Sequence, residues 1–94
     1  MISQSIVQTS NAGKYMKQLC NHFTHKLKVA VQEDTSSIEF PIGKCTLTVE
    51  NDNLIVCCET DDVEGQERMQ FAVEKHFKQF AWREEIEFVW AVPS

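Results

Sequence analysis

Apolar residues recur at helical spacing in two stretches of the chain. Ser10 or Asn11 is a suitable N-cap for the first stretch, which runs to about Lys26. Asp61 or Asp62 can cap the second stretch. The apolar stripes are Ala12, Met16, Leu19, Cys20, Phe23 and Leu27 in the first stretch and Met69, Val73, Phe77 and Phe80 in the second. The pattern therefore predicts two amphipathic helices.

Elsewhere apolar and polar residues alternate, as they do in strands that bury one face. This alternation is found in residues 38–42, 45–49 and 86–92, and residues 5–9, 28–32 and 54–58 are further predicted strands. Residues 34–37, 41–44 and 51–53 have the composition of turns. We therefore predict a single domain over residues 1–94 with the order β-α-β-β-β-β-α-β. The expected fold is an α+β two-layer sandwich, in which a mainly antiparallel six-stranded sheet carries two helices on one face.

The composition limits the classes of function that the chain can serve. A net charge of −5 is unfavourable for general binding to nucleic acids or anionic membranes, which requires a basic surface. No apolar run approaches the roughly 18 residues that span a bilayer, and the first residues lack the pattern of a secretion signal. We therefore expect a cytoplasmic protein with reduced cysteines, and neither a nucleic acid nor a membrane as its partner.

Two histidines near the end of the first predicted helix form the first candidate site. His22 and His25 lie three residues apart, about 60° around a helix, so they can point to one place together with Lys26. Alone they supply half of a typical zinc site. His76 approaches His22 if the helices pack side by side, which makes the three histidines weak candidates for a metal site. The alternative is a boundary histidine beside an exposed one, with no ligand.

Other chemically active side chains have structural and functional interpretations. Arg83 and Glu84 follow the second helix, where they form an ion pair or helix-end contact, or join a ligand-binding site near the first helix. Cys45 and Cys58 have the parity of core residues and Cys57 faces the other way, so the adjacent thiols cannot chelate one ion. The sequence contains no Cys-x-x-Cys motif, glycine-rich phosphate loop or catalytic serine elbow. No cofactor and no catalytic residue are predicted.

Three motifs resemble those of a bacterial family. They are Leu19-Cys20-x-His22-x-x-His25-Lys26, Phe40-x-x-Gly43-x-Cys45 and Phe80-Ala81-x-Arg83-Glu84-Glu85, in this order and spacing. From about Ser5 to Trp90 the chain is similar to the domain of unknown function family 2218, whose members are small bacterial proteins. The resemblance brings no established activity. It implies a link to iron handling, because some members are associated with siderophore-interacting reductases.

These observations favour a non-enzymatic bacterial accessory or protein-interaction domain, with the link to iron and siderophores that the resemblance implies. The uncovered face of the sheet is the expected contact surface for a second copy or another protein, since Ile55, Cys57 and Val89 share it with polar residues. Phe71 also projects from the polar side of the second helix. One alternative is weak binding of a metal or small ligand at the edge formed by His22 and His25, and another is a small enzyme.

Overall fold

The computed structural model describes residues 1–93, and five strands and two helices form within that part of the chain. In chain order they are β1 (Ile2–Gln8), α1 (Ala12–Phe23), β2 (Lys28–Val31), β3 (Thr35–Phe40), β4 (Gly43–Glu50), β5 (Asn53–Thr60) and α2 (Val63–Phe80). The Asp62 carboxylate caps α2 by accepting a hydrogen bond from the Gly65 N–H at 2.7 Å. Neither helix is long and apolar enough to cross a membrane. The predicted α+β class with two helices is confirmed.

The strands form one antiparallel sheet in the order β1-β5-β4-β3-β2. Successive side chains of a strand point to opposite faces, and burial follows this alternation. In β5, Leu54, Val56 and Cys58 are fully buried, whereas Ile55 and Cys57 stay partly exposed. One face of the sheet therefore packs under both helices, and the other face carries no helix in the part of the chain that the structure describes.

The core lies between the sheet and the two helices. Met16 and Leu19 of α1, Phe77 of α2, and Leu47 and Val56 of the sheet are all fully buried. Each such side chain contributes about 1.5–3 kcal/mol when it leaves water. The apolar stripes of the two helices are the surfaces that meet the sheet, so these contacts hold both helices in place.

The sheet has five strands, so the prediction of a sixth over residues 86–92 is wrong. These residues run beside β1 but pair with it only at Gln4 and Ala91, whose N–H and C=O groups bond each other at 2.7 and 2.9 Å. A continued ladder would bond the Val89 N–H to the C=O of Ile6. Instead, Val89 donates to the Ser5 hydroxyl at 3.1 Å. Aromatic side chains of the segment also pack on α2, which keeps it from extending the sheet.

The first helix ends before the predicted boundary at about Lys26. α1 stops at Phe23, whose C=O accepts the N–H groups of Lys26 and Leu27 at 3.1 and 2.9 Å. The chain turns here because β2 begins at Lys28, where it pairs with β3. The turn predicted over residues 34–37 is also shorter, since β3 begins at Thr35. Residues 24–27 therefore form a connection and not a helical edge.

Replacement of Gly43 by alanine should destabilise the fold by on the order of 2 kcal/mol. A Cβ at Gly43 would lie 2.1 Å from the backbone oxygen of Glu59, and neither strand can move away without disturbing the β4–β5 ladder. The matched control is Gly13→Ala in α1, where a Cβ meets no atom within 4 Å. This control should stabilise the protein by about 0.5 kcal/mol. Urea denaturation measures both changes, and equal stabilities would contradict the close approach inferred at Gly43.

Candidate functional site

Glu84 lies just after α2 and reaches back to the start of α1. Its carboxylate accepts hydrogen bonds from the hydroxyl of Thr9 at 2.8 Å, from the side-chain amide of Asn11 at 3.0 Å, and from the hydroxyl of Tyr15. The Thr9 hydroxyl in turn accepts the backbone N–H of Asn11 at 3.1 Å. One carboxylate thereby joins the C-terminal segment to the end of β1 and to the first turn of α1.

The donors around Glu84 determine its charge state. Hydrogen bonds from Tyr15, then Asn11 and Thr9, stabilise the carboxylate and lower the pKa of Glu84, against an opposing effect of burial. The hydrogen bond to Glu84, together with burial and the charge of Glu84, raises the pKa of Tyr15. At neutral pH the pair is therefore a carboxylate and a neutral phenol. Because every donor belongs to the same chain, the arrangement ties parts of the fold together.

His22 and His76 are the histidines that the fold brings together, at the junction of α1 and α2. Their ring centroids lie 4.1 Å apart with the planes tilted by 38°, and both rings pack edge-on against Phe23. Burial and the charge of His22 lower the pKa of His76, although a hydrogen bond with Gln79 favours the protonated ring. The buried Nδ1 of His76 has no hydrogen-bond partner within residues 1–93. The His76 ring is therefore neutral at pH 7 and serves as an apolar contact between the helices.

His25 and Lys26 are separated from His22 by the end of α1. The helix on which the pairing of His22 and His25 depended ends two residues before His25, and both His25 and Lys26 are exposed. Lys26 is close enough to His76 for its charge to oppose protonation of that ring. The structure thus places His76, and not His25, beside His22.

Arg83 and Glu84 have different surroundings although they are neighbours in the chain. Arg83 is exposed, and its guanidinium carbon lies 4.8 Å from the ring centre of Trp82. Glu84 contacts the first turn of α1, whereas His22 is in its last turn, so about 10 Å of helix separates the two groups. The candidate residues of the sequence are therefore divided between the two ends of α1.

The cysteines are placed for packing. Cys20, Cys45 and Cys58 are buried, and the Cys20 thiol lies 3.1 Å from the Ser36 hydroxyl. A hydrogen bond with Cys58, followed by burial, raises the pKa of Cys45 well above its ordinary value, so this thiol stays protonated and unreactive. In the described part of the chain, no three His, Cys, Asp or Glu side chains are grouped so that they could hold a metal ion. The buried thiols therefore act as small core residues.

The uncovered face of the sheet has an uneven distribution of charge. One row across four strands alternates acidic and basic side chains: Glu59, Lys44, Glu39 and Lys28. The next two rows contain no charged residue, and their nine positions define the uncharged patch: Gln4, Cys57, Thr46, Ser37 and Ala30, followed by Ile6, Ile55, Thr48 and Thr35. Charged residues on an open sheet discourage association. Most of this face lacks them.

The uncharged patch has an apolar margin along β1. Ile6 is 57% exposed, and a groove of about 430 Å³ beside it is lined in part by Val89, Val92 and Pro93. Val89 and Val92 are 68% and 82% exposed. The order of residues along the predicted strands placed Val89 and Ile55 on this face. It did not place Ile6 there, because the face to which each β1 side chain points depends on the register of β1 with β5. The margin therefore combines residues from both ends of the chain.

Known proteins share the fold of this chain. A family model described as "Uncharacterized protein conserved in bacteria (DUF2218)" matches residues 4–91. The chain is also similar to the NMR structure of PA4090 from Pseudomonas aeruginosa, with 29% identity, coverage of 96% of this chain and 94% of that chain, and a TM-score of 0.81. No curated protein matches the chain at a significant level. These similarities support the fold and assign no activity.

Glu84→Gln should lower the free energy of unfolding by about 1 kcal/mol near neutral pH, because an amide is a weaker acceptor than a carboxylate. The folded pKa of Glu84 is lowered, so its contribution is present above the pKa of the unfolded side chain and is lost as the pH falls through the folded pKa. Glu85→Gln is the matched control, since Glu85 is adjacent and exposed. Urea denaturation at about pH 7 and about pH 3 tests this dependence. Equal losses in the two variants would contradict it.

Proposed function

The chain belongs to the DUF2218 family of uncharacterised proteins conserved in bacteria, and we propose that it is an accessory protein-interaction domain without catalytic activity of its own. Its interface is the uncovered face of the sheet. The partner whose chemistry fits that face is a second copy of the chain. The observation that carries the proposal is the uncharged patch, which lies between a row of alternating charges and an apolar margin.

The uncharged patch can leave water at low cost. Burial of a charged group without a partner is strongly unfavourable, and the centres of protein interfaces are accordingly depleted of charged residues. Thr46 and Ser37 occupy the middle of the patch and are partly exposed in the single chain. At the margin, Ile6 and Val89 add apolar area whose burial contributes about 25 cal/mol per Å². Both features favour association through this face.

The charged row is complementary to itself. A two-fold axis that lies between two facing sheets, parallel to their strands, reverses the order of the row in the second copy. Glu59 of one copy then faces Lys28 of the other, and Lys44 faces Glu39. Face-to-face packing with nearly aligned strands is a common arrangement of two sheets. In this orientation opposite charges meet at one end while the uncharged patches meet in the centre.

The area of the face limits the expected affinity. In this orientation four strands of each copy overlap, and strands about 4.8 Å apart and about 20 Å long then present roughly 400 Å² on each copy. Stable specific interfaces bury about 800 Å² of each partner, and smaller ones are transient. We therefore expect a weak, reversible dimer.

Support for binding over catalysis comes from the side chains that could carry chemistry. The Glu84 carboxylate already has three donors from its own chain. Cys45 and Cys58 are buried. His22 and His76 pack together, and no third His, Cys, Asp or Glu side chain joins them in a metal-binding group within the described residues. These groups contact their own chain and stabilise the fold. The uncovered face of the sheet is therefore the surface that is available to a partner.

We also propose that the protein acts in the cytoplasm and in iron acquisition. Support for the cytoplasm comes from the four free thiols, which fit a reducing compartment. Support for iron acquisition comes from the likeness to a family in which some members accompany siderophore-interacting reductases. Deletion of the gene should slow growth under iron limitation and leave growth in iron-replete medium unchanged, with the complemented strain as control. Equal growth of both strains under iron limitation would overturn this part of the proposal.

Sedimentation velocity should detect reversible dimers between about 10 and 500 μM. Thr46→Lys places a charge in the centre of the uncharged patch and should abolish the dimer, because each added charge would be buried against Ser37 of the other copy without a partner. Gln79→Lys adds the same charge on the exposed surface of α2 and should leave association unchanged. A wild-type chain that stays monomeric over this range would overturn the proposal, as would a dimer that persists in the Thr46→Lys variant.

Charge reversal tests the orientation of the two copies. Lys28→Glu places like charges opposite Glu59 and should weaken the dimer by roughly tenfold. Addition of Glu59→Lys to that variant recreates opposite charges across the two-fold axis and should restore most of the affinity. A double variant as weak as the single one would contradict the parallel axis.

A further inference from the structure

The two edges of the sheet differ in how they are covered. The outer edge of β1 is partly occupied by the C-terminal segment through the reciprocal hydrogen bonds of Gln4 and Ala91. β2, at the other edge, has β3 as its one neighbour in the described part of the chain. An uncovered edge strand offers backbone groups to another strand.

Antiparallel pairing identifies the backbone groups that β2 leaves free. The Gln32 N–H bonds the Thr35 C=O at 2.8 Å, which makes these residues a hydrogen-bonded pair. Every second residue of β2 before Gln32 then bonds β3, so the N–H and C=O groups of Val29 and Val31 point away from the sheet. Two residues of β2 therefore present a donor and an acceptor each to an incoming strand.

The same two residues line a groove against α1. A depression of about 230 Å³ lies between β2 and α1, with Val29 and Val31 on one side and Lys17, Cys20, Asn21 and Thr24 on the other. Val29 is half-buried and Val31 is 52% exposed. A strand added to β2 would turn alternate side chains into this groove. The free backbone groups and the apolar surface therefore occur at one place.

The charged side chain that lines this groove is basic, although the chain as a whole carries a net charge of −5. Glu33 and Asp34 follow β2 in the turn to β3 and do not line the groove. Lys17 lines the groove, and Lys28 begins β2. Edge-to-edge pairing of β2 with β2 of a second copy would bring two basic regions together, which is unfavourable. An acidic occupant is favoured for the same reason.

We infer that β2 and the adjacent face of α1 form a docking groove for an extended acidic segment of a partner protein, which adds to the sheet beside β2. The side chains at alternate positions of the segment enter the groove, where apolar ones cover Val29 and Val31 and a carboxylate in the same set lies near Lys17. Its backbone supplies the missing hydrogen bonds of the edge, as in other cases of strand addition. The groove and the uncharged patch lie on opposite faces of the sheet, so the inference does not rest on the proposed dimer.

The probe is a fluorescein-labelled heptapeptide with glutamate at its second position, valine at its fourth and sixth and threonine elsewhere, so that the glutamate and both valines share one face of the strand; the protein is the full chain. Fluorescence anisotropy should show binding below about 1 mM, and the same peptide with lysine in place of the glutamate should bind at least tenfold more weakly. Lys17→Glu should weaken binding of the acidic peptide at least tenfold. The matched control Lys14→Glu, one helical turn earlier and outside the groove, should change it less than threefold.

NMR of the ¹⁵N-labelled chain locates the peptide. The amide signals of Val29 and Val31 should shift, and their hydrogen exchange should slow by at least tenfold when the peptide occupies the edge. Methylation of the peptide backbone nitrogens should abolish binding, because it removes the donors that strand addition requires. Equal binding of the acidic and basic peptides, shifts confined to other residues, or no binding at about 1 mM would each overturn the inference.

The two interfaces can be distinguished. Thr46→Lys should leave peptide binding unchanged, and Lys17→Glu should leave the dimer unchanged. Peptide binding by a monomeric wild-type chain would overturn the proposed dimer alone. A dimer that dissociates in the Lys17→Glu variant would instead assign the β2 edge to a second copy and overturn the peptide groove.

Discussion

Burial of one face of the antiparallel sheet under α1 and α2 is the constraint on which the rest of the structure depends. Leu54, Val56 and Cys58 can enter the core only if Ile55 and Cys57 between them face outward. A shift of one residue in the pairing of β5 would exchange these two sets and expose the core. The register, the position of both helices and the composition of the open face therefore follow from the same packing.

The two edge strands of the sheet, β1 and β2, are covered to different extents. The C-terminal segment is held beside β1 through the Gln4–Ala91 pair and through the contact of Glu84 with the start of α1. The β2 edge has no comparable cover in the described residues and has a basic side chain, Lys17, in the groove beside it. The protein thus offers two surfaces of different chemistry, an uncharged sheet face and a basic edge. The sheet face suits a second copy of the chain, and the edge suits an acidic segment of another protein.

Side chains that resemble a reactive site in the sequence mostly have structural roles here. Glu84 is surrounded by donors from its own chain, and Cys45 is a buried thiol with a raised pKa. The contact between His22 and His76 was predicted from the sequence, because two amphipathic helices on one face of a sheet pack side by side. That His25 does not join them depends on where α1 ends. The sequence therefore predicts which side chains lie close together only where the regular spacing of residues in a helix or strand brings them to the same face.

The two helices, the central strands and the side of the sheet that each of their residues faces could be predicted from the amino-acid sequence alone. These properties follow from local periodicity, because apolar residues repeat at the spacing of the element that buries them. That residues 86–92 do not form a strand, and that Ile6 and Val89 lie together at the margin of the open face, depends on the packing of the whole chain. Both depend on hydrogen bonds between residues more than eighty positions apart, such as that from the Val89 N–H to the Ser5 hydroxyl. A local pattern contains no information about such partners, since a segment with strand periodicity joins a sheet only if its backbone groups meet those of a neighbour.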